Sequence, residues 1–177
     1  MATGQPDAWK ITIDGEVNKP LELTLGELKA KVRAVTRRLL IECAGNGRSF
    51  FIPDTEGEPW ANGGAGCAEW TGARVVDVIR AAGLKPSAGF SAHYGADADR
   101  SGDPTKAPQG RGVPIRKLMD ENNLIVWEMN GKPLELMHGF PVRLIVPGWP
   151  GVLACKWLTR IRLSVGEPKG SIKRQGL

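Results

Sequence analysis

Glycine and proline interrupt this chain every few residues, and the interruptions follow no period. The 23 glycines and 13 prolines make up about a fifth of the 177 residues, against roughly 12% in an average protein. Without a Gly-X-Y repeat, that excess means many turns rather than a collagen helix. The segments left between turns are short strands and short helices. They do not alternate with a βαβ spacing. The pattern therefore predicts an α+β domain with mixed β-sheets, not a doubly wound parallel sheet. A chain of this length makes one domain and buries a real core.

Local patterns place the elements. Trp9, Ile11 and Ile13 alternate with polar residues and read as a strand ending at Asp14 and Gly15. Thr24-x-x-Glu27 is a capping box for a helix running to about Val32. Residues 37–43 read as a buried strand that runs into Ala44-Gly45-Asn46-Gly47. Residues 49–68 read as irregular. Thr71 reads as the cap of a helix over 73–82, with Val75, Val78, Ile79 and Ala82 on one face and Gly83 as its stop. Further strands are expected at 90–95, 142–146 and 157–165, and a short helix at 115–119. Asn130-Gly131 is a hairpin signal between 124–129 and 134–136. Residues 97–112 read as a long polar loop. The division is a short extension over 1–8, a folded domain over 9–165 and a polar tail over 166–177.

Charge narrows the partners. The net charge is +5 and the isoelectric point about 9.3. That excess suits an anionic ligand or substrate, and equally an ordinary solvated basic surface. The basic residues are scattered, apart from Lys169, Lys173 and Arg174. Four phenylalanines and one tyrosine offer little for base stacking, so nucleic acid is not an expected partner. No apolar run approaches the roughly 18 residues of a membrane span.

The three cysteines, Cys43, Cys67 and Cys155, are an odd number and contain no C-x-x-C. This argues against a disulfide framework, a zinc ribbon and a thioredoxin-like motif. Two histidines are too few for most His-based metal sites. A bound metal would use one thiolate and ligands brought by a cofactor.

Three segments carry chemistry. Cys43 stands at a strand end, before small residues that permit close approach and before Arg48, whose charge favours a thiolate. The bland reading of Cys43 is a small core residue. His138-Gly139-Phe140-Pro141-Val142-Arg143 brackets the start of a strand with two cationic side chains. Arg143 suits a bidentate grip on phosphate, and His138 a bond to an anion or ring nitrogen. A loop histidine and a solvated arginine are their plain alternatives. Pro147-Gly148-Trp149-Pro150-Gly151 leads to Lys156-Trp157-Leu158, either an anion-facing loop or an ordinary connection.

Together, Cys43-Ala44-Gly45-Asn46-x-Arg48, Trp70-x-Gly72, Met129-Asn130-Gly131, His138 through Arg143, and Lys156-Trp157-Leu158 resemble the molybdopterin-binding domain of the sulfite oxidase family. The likeness runs over about residues 9–165. It implies that a molybdenum–molybdopterin cofactor, a pyranopterin dithiolene, is held with Cys43 as the metal ligand. It implies that Arg48 and Trp60 form the substrate pocket, with Trp60 also readable as a loop anchor. Asn46, Asp97, His138, Arg143 and Lys156 fall at cofactor-binding positions. Cys67 and Cys155 match no ligand. The implied reaction is oxygen-atom transfer, with sulfite or a related oxyanion as substrate and a separate cytochrome c-like electron acceptor, since no haem motif is present.

The family also has an Arg-Asn-His segment before the first strand, a tyrosine after Lys-Trp-Leu and a following immunoglobulin-like domain. None has a match here. The competing expectations are a cofactor-binding fragment or subunit without catalysis, a sulfane dehydrogenase relative, and a methionine-sulfoxide reductase relative. Residues 1–9 carry no export signal, so the chain reads as cytoplasmic if complete as written. By resemblance to bacterial members it reads as periplasmic in a mature form.

Overall fold

A computed structural model describes residues 5–97 and 112–167. Along the chain lie strand β1 (Lys10–Gly15), strand β2 (Leu21–Thr24), helix α1 (Leu25–Lys31), strand β3 (Ala34–Glu42), strand β4 (Ala65–Arg74) and helix α2 (Val75–Ala82). Strand β5 (Phe90–Gly95), helix α3 (Ile115–Leu118), strand β6 (Leu124–Met129), the two-residue strand β7 (Lys132–Pro133), strand β8 (Arg143–Ile145) and strand β9 (Leu158–Ser164) follow. One sheet has the order β2-β1-β9-β5. The other has the order β3-β4-β6-β7, with β8 also paired to β6. Among the strand pairs of the described residues, β1 and β9 run parallel and the others antiparallel. This is the α+β arrangement of mixed sheets and short helices that the turn-rich sequence implies.

Hydrophobic burial holds the layers together. The larger core joins Ile11 and Ile13 of β1, Val75, Val78 and Ile79 of α2, Ile125 of β6, Leu144 of β8 and Ile161 and Leu163 of β9. The α2 face predicted from its spacing is buried, and Gly83 ends that helix in the left-handed region at φ +71°. A smaller cluster lies on the other side of the second sheet, with Trp70, Leu124, Val126 and Ile145 at its centre. The expected capping box closes α1. Thr24 Oγ1 accepts from Glu27 N, and the Glu27 carboxylate accepts from Thr24 N. Gly72 lies where β4 shifts register against β6, and a Cβ there would strike the Ile125 carbonyl. Only glycine allows that approach.

Four local expectations change. Strand β3 is not buried. It is the edge of its sheet, with Leu40 47% exposed and only Val35, Leu39 and Ile41 packed against the smaller core. A run of apolar residues cannot tell a central strand from an edge strand, because neighbours decide that. Thr71 does not cap a helix. It lies within β4, its hydroxyl 2.8 Å from that of Thr36, and α2 begins after Arg74. Arg74 grips Asp77 in the first turn with two nitrogens at 2.8 and 3.0 Å. Strand β4 starts at Ala65, inside the segment read as irregular. Ala65-Gly66-Cys67-Ala68 lacks the β-branched residues that mark a strand, and pairing with β3 supplies the order instead. The segment 134–136 forms no strand, and Leu136–His138 is a 3-10 turn.

One histidine is buried with its titration intact as a stability lever. His93 on β5 is 1% exposed. Its Nε2 lies 2.9 Å from Ser91 Oγ, and that hydroxyl also donates to the Val113 carbonyl at 3.1 Å. Burial pulls the imidazole pKa from the ordinary 6.5 to about 4, weakly opposed by the Leu153 carbonyl. The folded state thus resists protonation while the unfolded chain accepts a proton below 6.5. Stability is complete above pH 6.5, falls as the pH drops towards 4, and levels off below that. At about 1.4 kcal/mol per pKa unit the loss is about 3 kcal/mol. Urea unfolding at pH 7, 5.5 and 4 should therefore fall less steeply in His93→Gln than in the parent. Identical acid losses in the two proteins would remove His93 from the account.

Candidate functional site

The Cys43 turn is built by backbone pairing carried one step past β3. Cys43 N donates to the Gly64 carbonyl at 2.7 Å, and Asn46 N donates to the Cys43 carbonyl at 3.0 Å. Asn46 then fixes both sides. Its Oδ1 accepts from Gly64 N and its Nδ2 donates to Glu42 Oε1, each at 3.0 Å. Cys43 is exposed, and its Sγ accepts from Gly45 N at 3.4 Å. The thiol belongs to the lining of a cavity of about 300 Å³ between the end of β3 and the loop at Gly148, Trp149 and Pro150. Leu40, Glu42 and Asn46 also line it. The two walls are tied where Glu42 bridges Pro150 in parallel.

Arg48 and Trp60 sit on the same loop but outside the residues that line this cavity. Arg48 Nη1 donates to the Glu56 carbonyl. Its guanidinium lies against two glycines, and a Cβ would come within 3.1 Å of Nε at Gly45 and 3.0 Å of Cζ at Gly57. Arg48 Nε is buried without a partner. Trp60 is 46% exposed, its ring about 3.9 Å from where a Gly63 Cβ would stand. Its backbone N–H bonds the Glu58 carbonyl at 2.9 Å. Trp60 therefore anchors its loop and also offers an open indole face.

The other expected residues gather around the start of β9. Lys156 Nζ donates to the Met137 carbonyl at 3.2 Å and stands 4.4 Å from the Trp157 ring centre. Gly139, at φ +102°, packs its backbone on the Lys156 stem. This brings Lys156 to the turn that carries His138, whose half-exposed ring has Nδ1 3.7 Å from the Glu135 carboxylate. Asp97 is exposed at the end of β5. A Cβ on Gly95 would meet its carboxylate as well as the Lys156 carbonyl and Cys155 Sγ. Asp97, His138 and Lys156 thus border one surface. Trp157 holds a left-handed φ of +51°, and its Nε1 is buried without a partner. Such backbone cost persists only where surrounding structure enforces it, and it concentrates at functional sites.

Arg143 lies beneath this surface rather than on it. It is 7% exposed, and Trp70 lies 5.3 Å from its guanidinium carbon. Nη1 donates to the His138 carbonyl at 2.9 Å and Nη2 to the Ala154 carbonyl at 3.0 Å. Burial lowers its pKa to about 10, partly offset by the Cys155 thiol, so it stays charged at neutral pH. Both terminal nitrogens are occupied within the protein, and Nε is buried without a partner. The segment 148–155 connects the two groups of residues. Its first part walls the Cys43 cavity, and its last part meets Arg143 and pairs Cys155 O with Leu144 N at 2.8 Å.

The motif segments reveal Cys43, Asn46 and Arg48, but not Leu40, Glu42 and Trp149 as cavity walls. Trp149 carried a trace of signal in Pro-Gly-Trp-Pro-Gly. Leu40 and Glu42 carried none, since only the fold sets that loop against β3. No cluster of three or more His, Cys, Asp or Glu side chains suited to a metal ion occurs among the described residues. A lone thiolate fits a metal that arrives with its other ligands.

Comparison with known proteins gives a consistent result. The family described as the oxidoreductase molybdopterin binding domain matches residues 1–172. The mitochondrial sulfite oxidase of Drosophila melanogaster is 38% identical over 162 residues, covering 88% of this chain and 27% of the relative. Sulfite oxidase of Gallus gallus is 34% identical over 170 residues, covering 92% and 36%. A nitrate reductase [NADH] of Ulva prolifera is 35% identical over 164 residues, covering 88% and 18%. The crystal structure of the sulfane dehydrogenase SoxCD from Paracoccus pantotrophus superposes with a TM-score of 0.76 at 30% identity, over 92% of this chain and 39% of that one. The chain spans between a fifth and about two fifths of these relatives' lengths.

Arg143 offers a direct test of the architecture. Removing it leaves two carbonyls and a tryptophan face without their partner, at a cost of about 2–4 kcal/mol. Arg143→Ala should lower the urea midpoint by that equivalent. Arg143→Lys should recover only part of it, because one ammonium cannot span both carbonyls. Full recovery by lysine would mean that charge alone matters there.

Proposed function

The chain belongs to the oxidoreductase molybdopterin-binding domain family, and from that premise we propose that it oxidises sulfite, or a closely related sulfur oxyanion, and passes the electrons to a separate carrier. The family's cofactor is molybdenum–molybdopterin. The residues described above suit it in three ways. A solvent-facing thiol lines a cavity of about 300 Å³. The surface around the start of β9 carries the ammonium of Lys156 and the imidazole of His138, donors fit for an anionic cofactor, and the carboxylate of Asp97, fit for pterin N–H groups. The segment 148–155 links the two. The cofactor supplies two-electron oxygen-atom transfer when bound.

This chain's own residues do the rest. Cys43 would hold the metal, since sulfur is a soft, strongly donating ligand. The Gly45 N–H donates to its sulfur at 3.4 Å and orients it. Asn46 keeps the turn from moving by bonding the strand on one side and Gly64 on the other. Arg48 brings a fixed positive charge to the Cys43 loop, where a doubly charged oxyanion has to be drawn from water. Trp60 bounds that approach. Lys156 would neutralise the cofactor phosphate, His138 would donate to it, Asp97 would accept from the pterin, and Arg143 positions the 136–139 turn and the 148–155 segment beside them. The reaction balances as sulfite plus water giving sulfate, two protons and two electrons.

The observation that carries this reading is the Cys43 thiol, held by its own turn at the cavity in a Cys-Ala-Gly-Asn-x-Arg segment. Nitrate reductases among the relatives favour a second reading, oxygen transfer in the reductive direction. Protein purified from a host that makes the cofactor distinguishes them. The expected result is about one molybdenum per chain and sulfite-dependent reduction of ferricyanide. Nitrate consumption with a reduced viologen, and no sulfite turnover, would support the second. Metal without any turnover would mark a cofactor-binding subunit. Cys43→Ser should lose metal and turnover, while Cys67→Ser and Cys155→Ser keep both. Equal losses in all three would remove Cys43 as the ligand.

A further inference from the structure

The loop that follows the Cys43 turn is exposed at every residue from 49 to 63, a longer exposed run than any other among the described residues. It presents Phe50, Phe51 and Ile52 at 62%, 62% and 97% exposure. Single exposed apolar side chains are ordinary, but three in succession form a patch that water does not favour. The same loop carries Asp54, Glu56 and Glu58 and no lysine or arginine, in a chain of net charge +5. Among the described residues, no cation lies within ion-pair distance of these three carboxylates. The loop is therefore an apolar and acidic surface on an otherwise basic protein.

Its position gives the patch a use. Asn46 N donates to the Cys43 carbonyl at 3.0 Å, and Phe50 N donates to the Gly47 carbonyl at 3.1 Å. The Phe50 ring lies 3.8 Å from where a Gly47 Cβ would stand. Short covalent stretches and these two hydrogen bonds thus join the thiol to an exposed aromatic ring. Electronic coupling decays steeply across gaps, so a carrier gains from docking where a bonded path reaches the surface.

We propose that the loop over residues 49–63 is the docking surface for a small one-electron carrier protein whose contact face is rich in lysine around an apolar centre. The proposal rests on the sulfur-oxyanion reading above and names its electron acceptor by chemistry. Two carriers are each reduced by one electron for every sulfite oxidised, which accounts for both electrons. Weak electron-transfer encounters bury less than about 1,200 Å² in total, within reach of one such loop and its surroundings. The carboxylates steer the encounter, and Phe50, Phe51 and Ile52 supply the contact that survives salt.

The test measures binding and turnover separately on the molybdenum-loaded protein. A lysine-ringed cytochrome c and an acidic cytochrome serve as probes in titrations at low and high salt. The basic cytochrome should bind, and more weakly as salt rises. The combined substitution Asp54→Asn, Glu56→Gln and Glu58→Gln should weaken that binding about tenfold at low salt and little at high salt. Ile52→Ser should weaken it at both. Ferricyanide turnover with sulfite should be unchanged in every variant. Equal binding of the two cytochromes, or unchanged binding in the triple variant, would overturn the proposal. So would self-association of the chain that these same substitutions abolish, since a second copy would then be the occupant. If the binding pattern holds but sulfite reduces neither ferricyanide nor cytochrome, the sulfite reading fails and the docking surface stands.

Discussion

The buried guanidinium of Arg143 is the interaction on which the rest of the candidate site depends. It lies under the surface that carries His138 and Lys156, holding the His138 carbonyl with one nitrogen and the Ala154 carbonyl with another. Those carbonyls belong to separate loops with no sheet pairing between them. A charge in so dry a place is costly unless its donors are engaged, and lost pairing there is more damaging than lost pairing at the surface. The arrangement therefore selects one relative position for the 136–139 turn and the 148–155 segment. Because that segment also walls the Cys43 cavity, the clamp ties that wall to the surface of His138 and Lys156.

The thiol end is built by a different means. There the backbone pairing of β3 with β4 continues past Glu42 to the Cys43–Gly64 bond, and Asn46 seals the turn. An edge strand is an advantageous place for such a ligand. One side is held by the sheet, while the other is open to a cavity whose opposite wall is a loop. A central strand would have enclosed the sulfur. Charge is divided in the same way. Lys156 and Arg143 lie around the start of β9, whereas the loop over residues 49–63 carries three carboxylates and no lysine or arginine. Overall charge hides this division, since a modest basic excess is compatible with either kind of surface.

The short-range features were legible because each depends on neighbours in sequence. The Thr24–Glu27 capping box, the Gly83 stop, the apolar face of α2 and the Asn130-Gly131 hairpin need only a few adjacent residues, and all four form. The cysteine-containing turn was legible for the same reason. Reading failed where a partner strand decided the outcome. Ala65-Gly66-Cys67-Ala68 has weak intrinsic strand preference, yet it is ordered by nine residue pairs between β3 and β4. Thr71 has the chemistry of a helix cap, but its hydroxyl meets Thr36 across the sheet instead.

The sequence by itself determined the family, the α+β class and the cofactor that the family binds, because motif chemistry and periodicity are local properties of the chain. Only the tertiary structure decided which side chains face outward. It turned Arg143 inward to two carbonyls, left β3 at an edge, and set Trp149 and Leu40 on the walls of the Cys43 cavity. The physical reason is that burial and hydrogen-bond partnership depend on contacts between residues far apart in the chain. An arginine beside a histidine reads as a ligand-binding pair from sequence, and becomes a clamp when its terminal nitrogens bond the carbonyls of two separate loops.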